Sequence, residues 1–178
     1  MGDKLEWLVP GGGCEGLMQE DGLWGSHYTA RVIEVTKQKA KVEFDAFHEE
    51  GSETTLLQEW YPNQQLRPQP PKPPDDFLKT LTRGDELEMM FADGGWEVSY
   101  LGSRRSAQGA TEFNVESTQY VVEHWVSGDR LRPRWKRWGS KWKKPPQASQ
   151  PAAGKRKGKT TGAAASSASG GASAGRSG

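Results

Sequence analysis

The chain of 178 residues has a single cysteine, Cys14. One thiol excludes an internal disulfide and a zinc site built on cysteines. A reducing compartment is therefore the default expectation. No apolar run approaches the ~20 residues of a membrane-spanning helix, and Met1–Glu6 carries no secretory apolar region. Gly2 is followed by Glu6 where a myristoylated terminus needs Ser or Thr. Catalytic patterns are also missing. His27, His48 and His124 stand apart, with no nucleophile and acid in triad fashion. His48-Glu49-Glu50 lacks the partner spacing of a zinc site, and Gly11-Gly12-Gly13 leads to no phosphate-binding lysine. These absences predict a protein that is not an enzyme and needs no cofactor and no metal.

Acidic residues are missing from one end. All 23 lie at or before Asp129, with only 11 of the 24 basic residues. Residues 1–129 thus carry −12 and residues 130–178 carry +13, although the whole chain is at +1. An acidic body suits a basic partner, and a basic end suits a polyanion.

Large apolar residues are missing from the same end. From Pro145 onward there is no aromatic residue and no Val, Ile, Leu or Met. Such a segment cannot offset the ~1–2 kcal/mol per residue that ordering a backbone costs, so it is expected to be disordered. A second break is Arg67-Pro68-Gln69-Pro70-Pro71-Lys72-Pro73-Pro74, whose prolines favour an extended spacer. The expected organisation is a first domain over 1–70, a Pro-rich linker over 71–80, a second domain over 81–136 and a basic Gly/Ala/Ser-rich tail over 137–178.

What is present reads as β-structure. His27–Val35 is rich in β-branched residues, Lys39–Phe44 alternates polar and apolar, and Thr118–Trp125 is a similar run. Short strands between Gly-rich turns, with no capped helix, predict an all-β protein of small barrels.

The chain also repeats itself. Gly2-Asp3-Lys4-Leu5-Glu6 recurs as Gly84-Asp85-Glu86-Leu87-Glu88. Tyr28-Thr29-Ala30 pairs with Trp96-Glu97-Val98, and Glu43-Phe44-Asp45 with Glu112-Phe113-Asn114. Trp60 pairs with Trp125, and Leu66-Arg67-Pro68 with Leu131-Arg132-Pro133. The shrinking offset places an insertion in the first copy, around Pro10–Cys14.

Gly22-Leu23-Trp24-Gly25-Ser26-His27-Tyr28-Thr29-Ala30-Arg31-Val32, Val42-Glu43-Phe44 and Leu66-Arg67-Pro68-Gln69-Pro70-Pro71, taken with the duplication, resemble the tandem Agenet domains of plants. These belong to the Tudor-like "Royal" superfamily. The resemblance spans roughly residues 1–135. It implies two tandem SH3-like barrels and a chromatin- or RNA-associated binding role. Two departures stand out: His27 occupies a position usually aromatic, and the second copy lacks a counterpart of Trp24.

In that superfamily a methylated lysine is held in an aromatic cage. Each ring is worth roughly 0.5–2 kcal/mol toward a weakly hydrated cation. Carried over by motif, the resemblance nominates Trp24, Tyr28, Phe44 and Asp45, with Phe47 beside them. Trp96, Phe113 and Asn114 are the second-copy counterparts, and the first copy has the fuller set. Tyr28 and Phe44 read equally well as barrel core, since each shares a strand face with apolar neighbours. Trp60 and Trp125 read as packing residues.

The segment Arg130–Lys144 holds eight Lys/Arg and three Trp. Cations neutralise phosphates and aromatic rings stack on bases, which nominates Arg134, Trp135, Lys136, Arg137, Trp138, Lys141, Trp142, Lys143 and Lys144 for nucleic acid. Trp138 and Trp142 also suit one face of a short helix docked on the body, and Trp135 a cap on the second barrel. Lys155–Lys159 is a weak nuclear-import pattern.

The leading expectation is a nuclear, chromatin-associated reader of a basic peptide such as a histone tail, methyl-lysine included. A cytoplasmic location is the runner-up. The alternative function is nucleic-acid binding through residues 130–144, with the barrels as scaffold. No membrane partner is expected, and oligomeric state is left open.

Overall fold

The computed structural model describes residues 5–138 and 141–143. The expected disordered tail, the import pattern and Lys144 lie outside the described residues. Twelve strands and three short 3-10 turns make up the described chain.

The first unit contains β1 (Gly13–Leu17), β2 (His27–Val35), β3 (Lys39–His48), β4 (Leu56–Pro62) and β5 (Leu66–Pro68). The second contains β6 (Glu86–Phe91), β7 (Gly94–Arg105), β8 (Thr111–Ser117), β9 (Glu123–Ser127) and β10 (Leu131–Pro133). In each unit the first strand pairs antiparallel with the second and the last, and the second to fourth strands form a meander. Alternation explains the burial: Tyr28, Ala30 and Val32 of β2 and Ala40, Val42 and Phe44 of β3 point inward. The result is all-β, two small Tudor-like barrels with separate apolar cores. Phe77, inside the stretch expected as linker, is buried in the second core. Its amide donates to the Pro74 carbonyl, 3.0 Å away.

Strand pairing corrects two of the repeat matches. The counterpart of β6 is β1, because both pair with a Leu-Arg-Pro strand. Glu15 therefore matches Glu88, and Pro10–Cys14 leads into and opens β1 instead of being an insertion. Leu5 and Glu6 lie in a stretch before β1. In β3, Val42 faces Val32; in β8, Val115 faces Tyr100. Likewise Ala40 faces Tyr61, and Phe113 faces Val126. Phe113 thus takes the place of Ala40, and Ser117 that of Phe44. The similar strings Glu-Phe-Asp and Glu-Phe-Asn sit four residues out of step.

The barrels join edge to edge. His27 and Tyr28 of β2 pair with Gly95 and Gly94 of β7, making one ten-stranded sheet. Only glycine fits there. A Cβ on Gly94 would lie 2.6 Å from the Tyr28 ring, and one on Gly95 2.8 Å from the Arg132 guanidinium.

Four charges close the joint. Arg67 bonds Glu15 at 2.7 Å and Glu88 at 2.8 Å, and Arg132 bonds Glu15 at 2.8 Å and Glu88 at 2.7 Å. Each barrel gives one arginine and one glutamate, and each arginine bridges both glutamates. Glu15 is 3% and Glu88 0% exposed. Carboxylates this deep persist only because several charge-assisted bonds replace their lost hydration. His27 lies beside this quartet. Burial, then the positive charges of Arg67, Arg132 and Arg134, push its pKa down to about 3, which keeps the imidazole neutral.

Candidate functional site

The site begins with the difference in register just described, Ser117 standing where the first barrel has Phe44. In the first barrel Phe44 is fully buried and packs against Tyr61 and Phe47 at ring separations of 5.3 and 5.6 Å. It lies so close to Gly16 that a Cβ there would approach its ring to 3.0 Å. In the second barrel Ser117 replaces Phe44, and Val126 replaces Tyr61. Ser117 helps to line a pocket there.

That pocket has a volume of 250 Å³ and is lined by Met89, Phe91, Trp96, Ser117, Tyr120, Val122 and His124. Its walls come from four places, Ser117 being the last residue of β8. Met89 and Phe91 are on β6, and Trp96 is on β7, where the indole N–H donates to the Phe91 carbonyl at 2.9 Å. Tyr120, Val122 and His124 belong to the β8–β9 connection and the start of β9. Trp96 and Tyr120 are 6.0 Å apart between centroids, and Phe91 and His124 are 6.2 Å apart. Phe91 is 50% and Tyr120 46% exposed, so their rings remain open to a ligand.

The two turns framing the pocket hold unusual backbone. Ala92 and Asp93 have φ of 48° and 62°, and Val121 has φ of 52°. Non-glycine residues there cost roughly 1–3 kcal/mol each and persist where the surroundings demand them. A β-branched residue such as Val121 is the least suited to it. The sequence run Thr118–Trp125, expected as one strand, is therefore broken. β8 ends at Ser117, a turn follows, and β9 starts at Glu123.

The expected first-barrel residues lie elsewhere. Tyr28 is 2% and Phe44 0% exposed, so both are core. Phe47 is half-buried and packs against Tyr28, with ring centroids 4.6 Å apart and planes tilted by 43°. Those three rings consume one another's faces. What remains is a groove of 220 Å³ lined by Met18, Glu20, Leu23, Phe44, Phe47, Leu57, Glu59 and Tyr61. Trp24 is 53% exposed and lines none of the cavities described here. Asp45 is exposed and shares a 330 Å³ groove with Thr29, Ala46 and Asp93 at the seam between barrels.

Of the second-barrel nominees, Trp96 alone lines the aromatic pocket. Phe113 is 7% exposed and belongs to the core. Asn114 pairs with Trp125 across the sheet and donates to Glu123 at 2.8 Å. Sequence reasoning missed Met89, Phe91, Ser117, Tyr120, Val122 and His124. The available signal was Phe91 and Tyr120 beside breaks in strand pattern. Trp60 and Trp125, expected to be packed, are 40% and 41% exposed. The Arg104 guanidinium covers the Trp125 ring at 3.9 Å.

The basic segment folds against the body as strands. β11 (Lys136–Trp138) and β12 (Lys141–Lys143) form an antiparallel hairpin, so Trp138 and Trp142 do not share a helix face. Trp142 lies over the Arg67 guanidinium at 5.8 Å. Arg134 bonds Glu97 at 2.6 Å and Glu86 at 3.3 Å, and Lys136 bonds Glu86 at 2.9 Å. Those contacts, Lys136 foremost, hold the Glu86 carboxyl below its usual pKa. Trp135 is half-buried.

Among the described residues, no group of His, Cys, Asp and Glu could hold a metal ion, and no helix is long and apolar enough to cross a membrane. No curated protein matches the chain. The sequence model of the Agenet domain matches residues 15–71. Two similar solved structures are those of Arabidopsis thaliana AGDP1 AGD34 and ADCP1 tandem Agenet domain 3-4. The first has 20% identity and a TM-score of 0.68, with 79% of this chain and 91% of that one covered. The second has 19% identity and a TM-score of 0.65, with 79% and 89% covered. Together with the paired barrels, these matches show that residues 15–71 are similar to an Agenet domain and that the chain has the fold of the solved tandem Agenet modules.

Proposed function

We propose that this chain is a non-enzymatic reader module of chromatin that takes a basic peptide, with a methylated lysine seated in the second-barrel pocket. The observation that carries the reading is the open box of Phe91, Trp96, Tyr120 and His124 in a body whose first 129 residues carry −12. Methylation enlarges and dehydrates an ammonium, and ring faces then replace the lost water at roughly 0.5–2 kcal/mol per ring. The surrounding acidic charge speeds the encounter with a cationic peptide and makes it salt-dependent. A histone tail has that chemistry, and a nuclear location follows from the same proposal.

Calorimetric titration with matched histone peptides, unmodified and carrying mono-, di- or trimethyl-lysine, tests this. Tighter binding of at least one methylated form supports the reading. Equal, negligible affinity for all of them removes it.

A further inference from the structure

We infer that the second-barrel pocket selects the trimethylated state of lysine, a quaternary ammonium with no N–H left. This selectivity rests on the reader assignment and narrows it from methyl-lysine at large to one state.

The states differ in what they ask of a pocket. An unmodified lysine carries three N–H donors, and each methyl group replaces one of them. A donor taken out of water needs an acceptor, or its lost hydration counts against binding. Ring faces attract the positive charge of every state equally well in kind. A box of rings without an acceptor therefore favours the state without donors.

The second-barrel box is of that sort. None of its seven lining residues is Asp or Glu, and the surface that it turns to a ligand is almost wholly apolar. His124 enters it as a ring, 6.2 Å from Phe91 between centroids. The polar groups of its walls hold the walls together. Ser117 Oγ accepts the Tyr120 amide at 3.3 Å, and the Val122 carbonyl accepts the Ser117 amide at 2.9 Å. The Trp96 indole N–H is spent on the Phe91 carbonyl at 2.9 Å.

Carboxylates on the adjoining strands are engaged elsewhere. Glu97 bonds Arg134 at 2.6 Å, and Glu123 accepts from Asn114 at 2.8 Å. Asp93, two residues after Phe91, lines the groove at the seam with Asp45 and not the box.

The first barrel has the opposite arrangement at the same place. Val42 and Val115 are equivalent, since they face Val32 and Tyr100. Glu59 pairs with Val42, and His124 pairs with Val115. Glu59 thus holds the position of His124, and it lines the first-barrel groove together with Glu20. One position of the fold carries a carboxylate in one barrel and an imidazole in the other.

The test is calorimetric titration of the full chain with matched histone peptides carrying unmodified, mono-, di- or trimethyl-lysine, for the wild type and His124→Glu. Wild type should bind the trimethyl form at least about threefold more tightly than the dimethyl form, with the monomethyl form weaker again, since each uncompensated donor costs affinity. His124→Glu places a carboxylate where the first barrel has one, and should bind the dimethyl form at least as tightly as the trimethyl form. This reversal is a ratio within one protein, so a general loss of stability does not produce it. Wild-type binding of the dimethyl or monomethyl form as tightly as the trimethyl form overturns the selectivity and leaves the reader assignment standing. No binding of any methylated form removes the reader assignment and the selectivity with it. An unaltered order in a folded His124→Glu variant overturns the missing carboxylate as the cause. The order measured on the wild type decides the selectivity whether or not the variant folds.

Discussion

Phe44 in the first barrel and Ser117 in the second occupy the same place in the same fold. Around Phe44 the interior is filled by Tyr28, Phe47 and Tyr61. Around Ser117 it is open, and the second barrel recovers its core volume with Phe113 where the first has Ala40. Phe77 from the connecting segment adds to that core. A small barrel needs a certain volume of apolar side chain but not at a fixed position. Moving one ring across the interior keeps the barrel folded and changes the lining, from a 220 Å³ groove walled by Phe44, Phe47 and Tyr61 to a 250 Å³ pocket walled by Phe91, Trp96, Tyr120 and His124. The Agenet match falls on the first barrel, while the box of Phe91, Trp96, Tyr120 and His124 belongs to the second.

The first way to test this comparison is where the barrels should behave alike. Glu15 and Glu88 hold equivalent places in the quartet, so Glu15→Gln and Glu88→Gln should each cost about 3–5 kcal/mol of stability by leaving buried arginine charge uncompensated. Chemical denaturation should show similar losses for both. A large cost for one alone would mean that the joint is not symmetric.

The second is where they should diverge. Phe44→Ala removes a buried ring and should cost about 3–5 kcal/mol. Trp96→Ala removes a half-exposed ring and should leave the melting temperature nearly unchanged, while weakening methylated-peptide binding about two- to thirtyfold, as one ring face implies. Phe47→Ala should not change peptide affinity. If Phe47→Ala weakens binding and Trp96→Ala does not, the reading site belongs to the first barrel.

A smaller effect concerns His27. Its pKa is about 3 in the fold against 6.5 in the unfolded chain. Between those values the unfolded chain binds a proton that the folded one refuses, so stability rises with pH across this window and is fully present above it. The unfolding free energy, followed from pH 4 to 7, should climb for the wild type and climb less for His27→Gln. Identical slopes would show that His27 is protonated in the fold.

Much of the architecture is legible in the sequence. His27–Val35 matches β2 because its alternation meets a half-buried sheet, and the two Leu-Arg-Pro segments do close the two barrels. The site is less legible, for two reasons. Glu-Phe-Asp and Glu-Phe-Asn are alike as strings but differ in register, and a strand's ladder partners decide which residue points inward. The pocket is also defined by what is small, Ser117, and by a turn within what looks like one strand. The buried quartet is hidden because Glu15 and Glu88 stand in dissimilar strings, glycine-rich in one copy and methionine-rich in the other.

Ser117→Phe tests the central claim most directly. The substitution restores to the second barrel the ring that fills the first. Calorimetry with the methylated peptide that the wild type binds, run beside thermal unfolding, gives both readouts. The account predicts a variant that still folds, at a cost of about 1–3 kcal/mol because Met89 stands where the first barrel has Gly16, with peptide binding reduced beyond detection. A folded variant that binds the peptide as tightly as wild type would contradict it, and would place the reading site outside the second-barrel pocket.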